Sequence, residues 1–180
     1  SLDDDLVIWT AQFSGDDVFT FTGADDQMLG FDGKDLFNGF GGDDSLKGNA
    51  GNDTINGGNG NDKLWGNDGK DVINGGKGAD NIKGGSGRDQ MNGGGGGVTI
   101  SGGNGADTLN GQAGNDVMHG GKGKDVFTGG SGADTFQFVS ASDSLNNNTA
   151  DRITDFQTGQ DLIDLSGLSD DLVFIGSAGF

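Results

Sequence analysis

The stretch "GGNGNDKLW", residues 57–65, decides the fold of this chain because the same nine-residue pattern recurs on both sides of it. The unit "GNAGNDTIN" precedes it at 48–56, and "GNDGKDVIN" follows it at 66–74. Units in register run from residue 39 to residue 137 and share the pattern G-x-x-G-x-D-x-U-x, in which U is apolar. A fixed short period of this kind is the sequence signature of a repeat architecture.

The U positions form an apolar series that no polar residue interrupts. One apolar side chain in nine cannot cover a globular core, but short x-U-x strands in a coil can stack these side chains in two parallel columns. Frequent Gly and the absence of a 3.6-residue apolar spacing argue against helix. The sequence therefore predicts a parallel β-solenoid whose Gly-rich half-units turn the chain. The series is Phe19, Met28, Phe37, Leu46, Ile55, Leu64, Ile73, Ile82, Met91, Ile100, Leu109, Met118, Phe127, Phe136 and Leu145.

The composition provides too few apolar side chains for a conventional globular core, because only 31% of the 180 residues are hydrophobic and 40 are Gly. There is no Cys, so disulfides cannot supply the missing stability. The net charge is −18 and every acidic residue is Asp. Such a surface repels nucleic-acid phosphates and attracts cations. No apolar run is long enough to span a membrane.

The aspartates of the repeat fall into two ladders, because two units make one coil and residues 18 apart then stack on the same edge. Successive carboxylates about 4.8 Å apart would repel strongly without a counter-ion. Ca²⁺, which accepts about 6 to 8 oxygen ligands, relieves this repulsion, so the aspartates are predicted to be metal ligands. The first ladder is Asp26, Asp44, Asp62, Asp80, Asp116 and Asp134; the second is Asp17, Asp35, Asp53, Asp71, Asp89, Asp107 and Asp125.

Val98 interrupts the first ladder in the unit "GGGGGVTIS", residues 93–101. Ile100 keeps the apolar column in this unit, so we expect the coil to continue through it. The ion positions on either side of Val98 are predicted to be weakly occupied, completed by water or empty. Two explanations stay open: a one-residue drift without function, and a weak point that separates two folding units.

The repeats resemble the calcium-binding nonapeptide of the RTX (repeats-in-toxin) family over residues 12–137. The segment "DRITDFQTGQDLIDLSGL", residues 151–168, is similar to the one that closes the β-roll in serralysin-type proteases and other type I secreted proteins. The resemblance implies an all-β, right-handed parallel β-roll with Ca²⁺ in the turns. It implies an N-terminal cap or linker at 1–11, the roll at 12–137 and a C-terminal capping β region at 138–180.

The resemblance also implies backbone ligands. Each ion lies between two turns on one edge; it takes the carbonyls at positions two and four with the Asp of one turn, and those at positions one and three with the Asp of the next. The implied carbonyl ligands are those of Gly39, Phe40, Gly41, Gly42, Gly48, Asn49, Ala50, Gly51, Gly57, Gly58, Asn59, Gly60, Gly66, Asn67, Asp68, Gly69, Gly75, Gly76, Lys77, Gly78, Gly84, Gly85, Ser86, Gly87, Gly102, Gly103, Asn104, Gly105, Gly111, Gln112, Ala113, Gly114, Gly120, Gly121, Lys122, Gly123, Gly129 and Ser131.

The number of ions follows from the Asp pairs. The first ladder offers four pairs in which both members are Asp, and the second offers six. The opening pairs of Asp17 and Asp26 are the weakest, because "FSGDD" and "FTGADD" lack the leading glycines. We therefore expect about eight to ten Ca²⁺, which would nearly cancel the net charge of −18.

The function that the resemblance implies is that of a secreted, extracellular calcium-binding module. It would stay unfolded in the calcium-poor cytosol, leave through a type I secretion machinery, and fold outside, where it supports an attached N-terminal domain. Catalysis within this chain is not expected. His119 is the only His, no HExxH motif is present, and Gly69-Lys70 is followed by Asp rather than by the Ser or Thr of a phosphate-binding loop.

The alternative is a polysaccharide-binding or adhesion module, since repeats of this type accompany alginate epimerases. In that hypothesis, basic side chains would meet a polyanion once calcium has neutralised the acidic turns. The residues concerned are Lys63, Lys70, Lys77, Lys83, Arg88, Lys122 and Lys124.

Overall fold

The computed structural model describes residues 14–140, 143 and 150–168, and these residues form strands and turns without any helix. They accordingly contain no helix that could cross a membrane. The strands are β1 (Val18–Thr20), β2 (Gln27–Asp32), β3 (Leu36–Gly41), β4 (Ser45–Ala50), β5 (Thr54–Asn59), β6 (Lys63–Asp68), β7 (Val72–Lys77), β8 (Asn81–Ser86), β9 (Gln90–Gly95), β10 (Thr99–Gly105), β11 (Thr108–Ala113), β12 (Val117–Gly123), β13 (Val126–Ser131), β14 (Thr135–Gln137), β15 (Arg152–Ile153) and β16 (Leu162–Asp164).

The strands form two parallel sheets, one of the odd-numbered and one of the even-numbered strands. Each strand pairs with the strands one full coil before and after it. Leu46 pairs with Leu64, for example, and Ile55 with Ile73, so the register repeats every 18 residues. The predicted parallel β-roll with two units to a coil is therefore confirmed.

The core consists of the predicted apolar series. The side chains from Phe37 to Phe136 in this series are at most 1% exposed, and Phe19 is 9% exposed. Met28 is half-buried and packs against this cluster. Leu145, the last residue of the predicted series, lies outside the described residues, as do the predicted cap or linker at 1–11 and residues 169–180 of the predicted C-terminal capping region.

The second position of each unit adopts a positive φ, because the chain reverses there. Gly58 and Gly76 have φ of 120° and 113°, which glycine adopts without steric cost. Phe40 occupies the same place with a φ of 68°. A side chain there costs roughly 1–2 kcal/mol, so Gly at position two stabilises the coil.

The two outer faces differ. On the odd-strand sheet, the ninth-position asparagines form a ladder in which the Asn74 Nδ2 donates to the Asn56 Oδ1 at 2.8 Å, and the Asn92 Nδ2 donates to the Asn74 Oδ1 at 2.9 Å. This ladder lines a shallow trough of about 710 Å³. On the even-strand sheet the corresponding neighbours are Lys47, Trp65 and Lys83.

The C-terminal segment lengthens the same two sheets. Strand β15 pairs with β13, and β16 pairs with β14. Ile153 lies opposite Phe127, and Ile163 lies opposite Phe136. The segment therefore adds one further coil to the roll, although the spacing of nine residues is lost between β14 and β15.

Candidate metal centre

One carboxylate oxygen of each ladder aspartate from Asp35 to Asp134 links neighbouring coils. The Asp44 N–H donates to the Asp62 Oδ1 at 2.8 Å, and the Asp53 N–H donates to the Asp71 Oδ1 at 2.8 Å. The same bond joins ladder members throughout the repeats, apart from the position of Val98. The structure thus brings the predicted aspartates together in two columns, one on each edge of the roll.

The other carboxylate oxygen has no hydrogen-bond donor. The Oδ2 atoms are buried and lack a partner in Asp35, Asp44, Asp53, Asp62, Asp71, Asp80, Asp89, Asp107, Asp116, Asp125 and Asp134. These side chains are at most 2% exposed. Burying a carboxylate oxygen without a donor or a cation is strongly unfavourable. A row of such atoms has the chemistry of a site that could hold cations.

A backbone carbonyl faces the same space as most of these Oδ2 atoms. A Cβ built on Gly84 would lie 2.5 Å from the Asp89 Oδ2 and 2.7 Å from the Gly102 carbonyl oxygen. A Cβ on Gly57 would likewise meet the Asp62 Oδ2 and the Gly75 carbonyl oxygen. Glycine at position one thus leaves a small space lined by oxygen atoms, which is the ligand chemistry that Ca²⁺ prefers.

Burial raises the pKa of the buried ladder carboxyls, which are those from Asp35 to Asp134. It is the largest cause for Asp44, Asp71 and Asp107, whose pKa rises to about 7. A backbone N–H that donates to each carboxylate lowers the pKa, and neighbouring aspartates raise it again. The ionised form of these carboxyls is therefore unfavourable without a counter-ion. A bound cation would stabilise the ionised form and lower the pKa again.

Asp17 and Asp26, at the start of the ladders, differ from the others because both are half-buried. The Asp26 Oδ2 accepts a hydrogen bond from the Thr22 N–H at 3.3 Å. That their metal sites are the weakest stays a prediction.

Val98 takes the place of an aspartate without disturbing the coil. Its side chain is 1% exposed, and its N–H still donates to the Asp116 Oδ1 at 2.9 Å. A Cβ built on Gly93 would lie 3.2 Å from the Val98 Cγ2, where the other turns place an Oδ2. The prediction that the coil continues is confirmed, because β10 pairs with both β8 and β12. The occupancy of the neighbouring ion positions stays a prediction.

The implied position-three carbonyls already accept one backbone hydrogen bond. The Gly60 N–H donates to the Lys77 carbonyl, and the Gly69 N–H donates to the Ser86 carbonyl, both at 2.8 Å. A carbonyl oxygen has two lone pairs, so metal coordination remains compatible with these bonds. No group of three or more His, Cys, Asp or Glu side chains is gathered for a metal within the described ranges. Any ion here must therefore take backbone oxygens as well as carboxylates.

Two aspartates that sequence reasoning missed continue the ladders. The Asp125 N–H donates to the Asp151 Oδ1 at 2.8 Å, and the Asp134 N–H donates to the Asp161 Oδ1 at 3.1 Å. Their separations are 26 and 27 residues instead of 18. The signal was the short pattern Asp-x-U, which "DRI" at 151–153 and "DLI" at 161–163 both keep.

His119 lies on β12, opposite Gln137 of β14. Its Nδ1 is 3.2 Å from the Gln137 carbonyl oxygen and 4.0 Å from the Asp143 Oδ2. The Asp143 Oδ2 accepts hydrogen bonds from the N–H groups of Val139 and Ser140. The contacts around His119 are therefore those of a structural side chain.

Comparison with known proteins identifies the repeats. The family model described as "RTX calcium-binding nonapeptide repeat (4 copies)" matches residues 29–64, 38–73, 65–100 and 101–136, which together span more than half of the chain. A comparison with curated proteins gave no match.

Among solved structures, the chain is similar to one titled "Solution Structure of AlgE6R3 subunit from the Azotobacter vinelandii Mannuronan C5-epimerase". The two are 44% identical over 52% of this chain and 54% of that chain, with a TM-score of 0.45. The match therefore spans about half the length of that subunit.

Proposed function

Because the chain belongs to the RTX calcium-binding nonapeptide repeat family, we propose that it is an extracellular module that folds on binding Ca²⁺ and stabilises an attached protein. The repeat module itself is calcium-binding and non-catalytic. The coupling of calcium to folding, the place of action and the attached protein are the parts that we propose.

The observation that carries the proposal is the row of buried Oδ2 atoms without donors in both ladders. Each buried, uncompensated carboxylate costs several kcal/mol. One apolar side chain per nine residues gives little burial to offset such a cost when it is repeated along two edges. The folded roll therefore requires cations, and the free energy of binding them becomes free energy of folding.

The proposed ligands are the ladder aspartates and the carbonyls of the Gly-rich turns. In the pair Asp44 and Asp62, the Asp44 Oδ2 and the Gly57 carbonyl face the same space, which supports this assignment. We propose about eight to ten ions, each completed by backbone oxygens.

Calcium concentration supports an extracellular site of action. Extracellular modules of low affinity fill at about 10⁻⁴ to 10⁻³ M Ca²⁺, far above the cytosolic level. We propose that the chain crosses the type I secretion machinery unfolded and folds outside. The module boundaries that we propose remain 1–11, 12–137 and 138–180.

Far-UV circular dichroism of the chelator-treated chain during a Ca²⁺ titration tests this proposal. We expect a cooperative transition from coil to β structure, with about eight to ten ions bound at saturation. Mg²⁺ at equal concentration is the control and should not induce the transition, because it requires a smaller octahedral shell. A spectrum that is already rich in β structure in chelator would contradict the proposal.

A second candidate function, polysaccharide binding, is favoured by the outer face of the even-strand sheet. Lys47 and Lys83 flank Trp65 in register, and Lys63 lies two residues before Trp65 on β6. The Lys47 Nζ is 4.8 Å from the Trp65 ring centroid. From residue 39 to residue 137, no Asp occupies the positions on either side of the apolar residue, so the acidic groups are confined to the turns.

The structure separates the basic residues that the sequence grouped together. Lys63 and Lys83 lie on this face, joined by Lys47, which the sequence hypothesis left out. Lys70, Arg88 and Lys124 precede ladder aspartates at position five, and Lys77 and Lys122 stand at position three. If the chain binds an acidic glycan, we propose that it uses the Lys47–Trp65–Lys83 row, where an aromatic ring and cations are combined.

Binding of the calcium-loaded protein to alginate, with neutral dextran as the control polymer, tests this second candidate. The variant Lys47→Gln/Lys63→Gln/Lys83→Gln should lose about tenfold or more in affinity, which corresponds to about 1.4 kcal/mol. The matched variant Lys70→Gln/Arg88→Gln/Lys124→Gln removes the same charge from the turns and should lose less. Equal losses in both variants would show that only net charge matters.

A further inference from the structure

The last coil is closed by side-chain amides. Residues 155–161 lie against the turn that begins at Gly129 and ends at Asp134. The Gln157 Nε2 donates to the Gly130 carbonyl oxygen at 2.7 Å, and the Gln160 Nε2 donates to the Gly132 carbonyl oxygen at 2.7 Å. Gly130 and Gly132 are positions two and four of their unit.

These two carbonyls are the ones that would help to hold an ion between this turn and the next. In the proposed ligand pattern, positions two and four act together with the Asp of their own turn, here Asp134. Among the described residues, Gly132 is the only position-four carbonyl to which a side-chain amide donates. A carbonyl with one hydrogen bond can still bind a metal, but here side-chain amides from residues 155–161 donate to both carbonyls, from the side on which the next turn lies.

The carboxylates of Asp155 and Asp161, which lie next to this turn, also have hydrogen-bond donors. The Asp161 Oδ1 accepts from the Asp134 N–H at 3.1 Å, and its Oδ2 accepts from the Gln157 N–H at 2.8 Å. The two oxygens of Asp155 accept from the N–H groups of Gly129 and Gly130 at 2.9 and 2.8 Å. Asp161 therefore differs from the buried ladder aspartates from Asp44 to Asp134 on the same edge, whose Oδ2 atoms have no donor.

We infer that residues 155–161 form a metal-free latch, in which the amides of Gln157 and Gln160 occupy the coordination that Ca²⁺ takes in the turns above. The ladder edge that ends at Asp134 then terminates without an ion between Asp134 and Asp161. Asp134 still shares an ion with Asp116, on its other side. The inference rests on the proposed calcium function, since it compares the amides of this turn with the Ca²⁺ positions proposed for the other turns.

The variant Gln157→Glu/Gln160→Glu tests the latch, because it replaces both donors with carboxylates that face the Gly130 and Gly132 carbonyls. We expect it to bind one more Ca²⁺ per chain than the wild type at saturation, counted by equilibrium dialysis. We also expect the amide protons of Gly129 and Asp134 to exchange at least about tenfold faster in the variant when calcium is limiting. The control Gln27→Glu/Gln90→Glu adds the same charge at exposed strand positions and should change neither quantity.

An ion count equal to that of the control, with unchanged exchange of Gly129 and Asp134, would overturn the latch. A second variant, Gln157→Ala/Gln160→Ala, removes the donors without adding carboxylates and should leave the ion count unchanged while the same two amide protons exchange faster. Loss of an ion in this variant would also overturn the inference. Failure of the proposed function is distinguishable, because the wild type itself would then bind no Ca²⁺ or would already be rich in β structure in chelator.

Discussion

The substitution Gly84→Ala is expected to lower the stability of the calcium-loaded protein by about 3 kcal/mol, or roughly 10 °C in the midpoint of thermal unfolding. Gly84 is the first residue of a unit in the middle of the roll. An added Cβ would lie 2.5 Å from the Asp89 Oδ2 and 2.7 Å from the Gly102 carbonyl oxygen. Neither neighbour can withdraw easily, because one is a backbone atom and the other is fixed between stacked coils. The methyl group would also fill the space in which we place an ion.

The matched control for this prediction is Gly95→Ala. A Cβ on Gly95 would have only the Gly76 carbonyl oxygen nearby, at 3.9 Å, and the φ of Gly95 is not positive. This variant should stay within about 0.5 kcal/mol of the wild type. Thermal unfolding followed by circular dichroism at saturating Ca²⁺ measures both. Equal stability of the two variants would contradict the assignment of the space beside Gly84 as a calcium position.

The substitution Val98→Asp is expected to complete the interrupted ladder and add up to two bound ions, one toward Asp80 and one toward Asp116. Val98 already has the backbone position of a ladder aspartate, because its N–H donates to the Asp116 Oδ1. Each new site would stabilise the fold by about 2.7 kcal/mol at a calcium concentration 100 times its dissociation constant. At low calcium the sign reverses, since a buried valine is then replaced by an uncompensated carboxylate.

The measurement is the ion count at saturation, together with the thermal midpoint at a series of calcium concentrations. Val98→Asn is the control, because Asn has the shape of Asp without its charge. This variant should bind no additional ion and should be less stable than the wild type at every calcium concentration. An unchanged ion count in Val98→Asp would mean that the positions beside Val98 are not calcium sites or are already filled.

The sequence predicted the stacking of the repeated aspartates because the repeat imposes its own symmetry. When every coil pairs with a register of 18 residues, residues such as Asp53, Asp71 and Asp89 must stack, whatever the rest of the chain does. The pattern could not show how the two carboxylate oxygens divide their roles. Only the structure reveals that Oδ1 joins the coils while Oδ2 is left without a donor.

The sequence by itself determined the period, the apolar columns, the two aspartate ladders and the position of the break at Val98, because translation along a solenoid converts spacing directly into contact. The tertiary structure decided what happens where the period is lost. The return of the chain after residue 150 places Asp151 and Asp161 beneath the ladders and brings the Gln157 and Gln160 amides onto backbone carbonyls. These contacts join residues 26 to 28 positions apart, and no repeating distance specifies them. They arise from packing against the last complete coil.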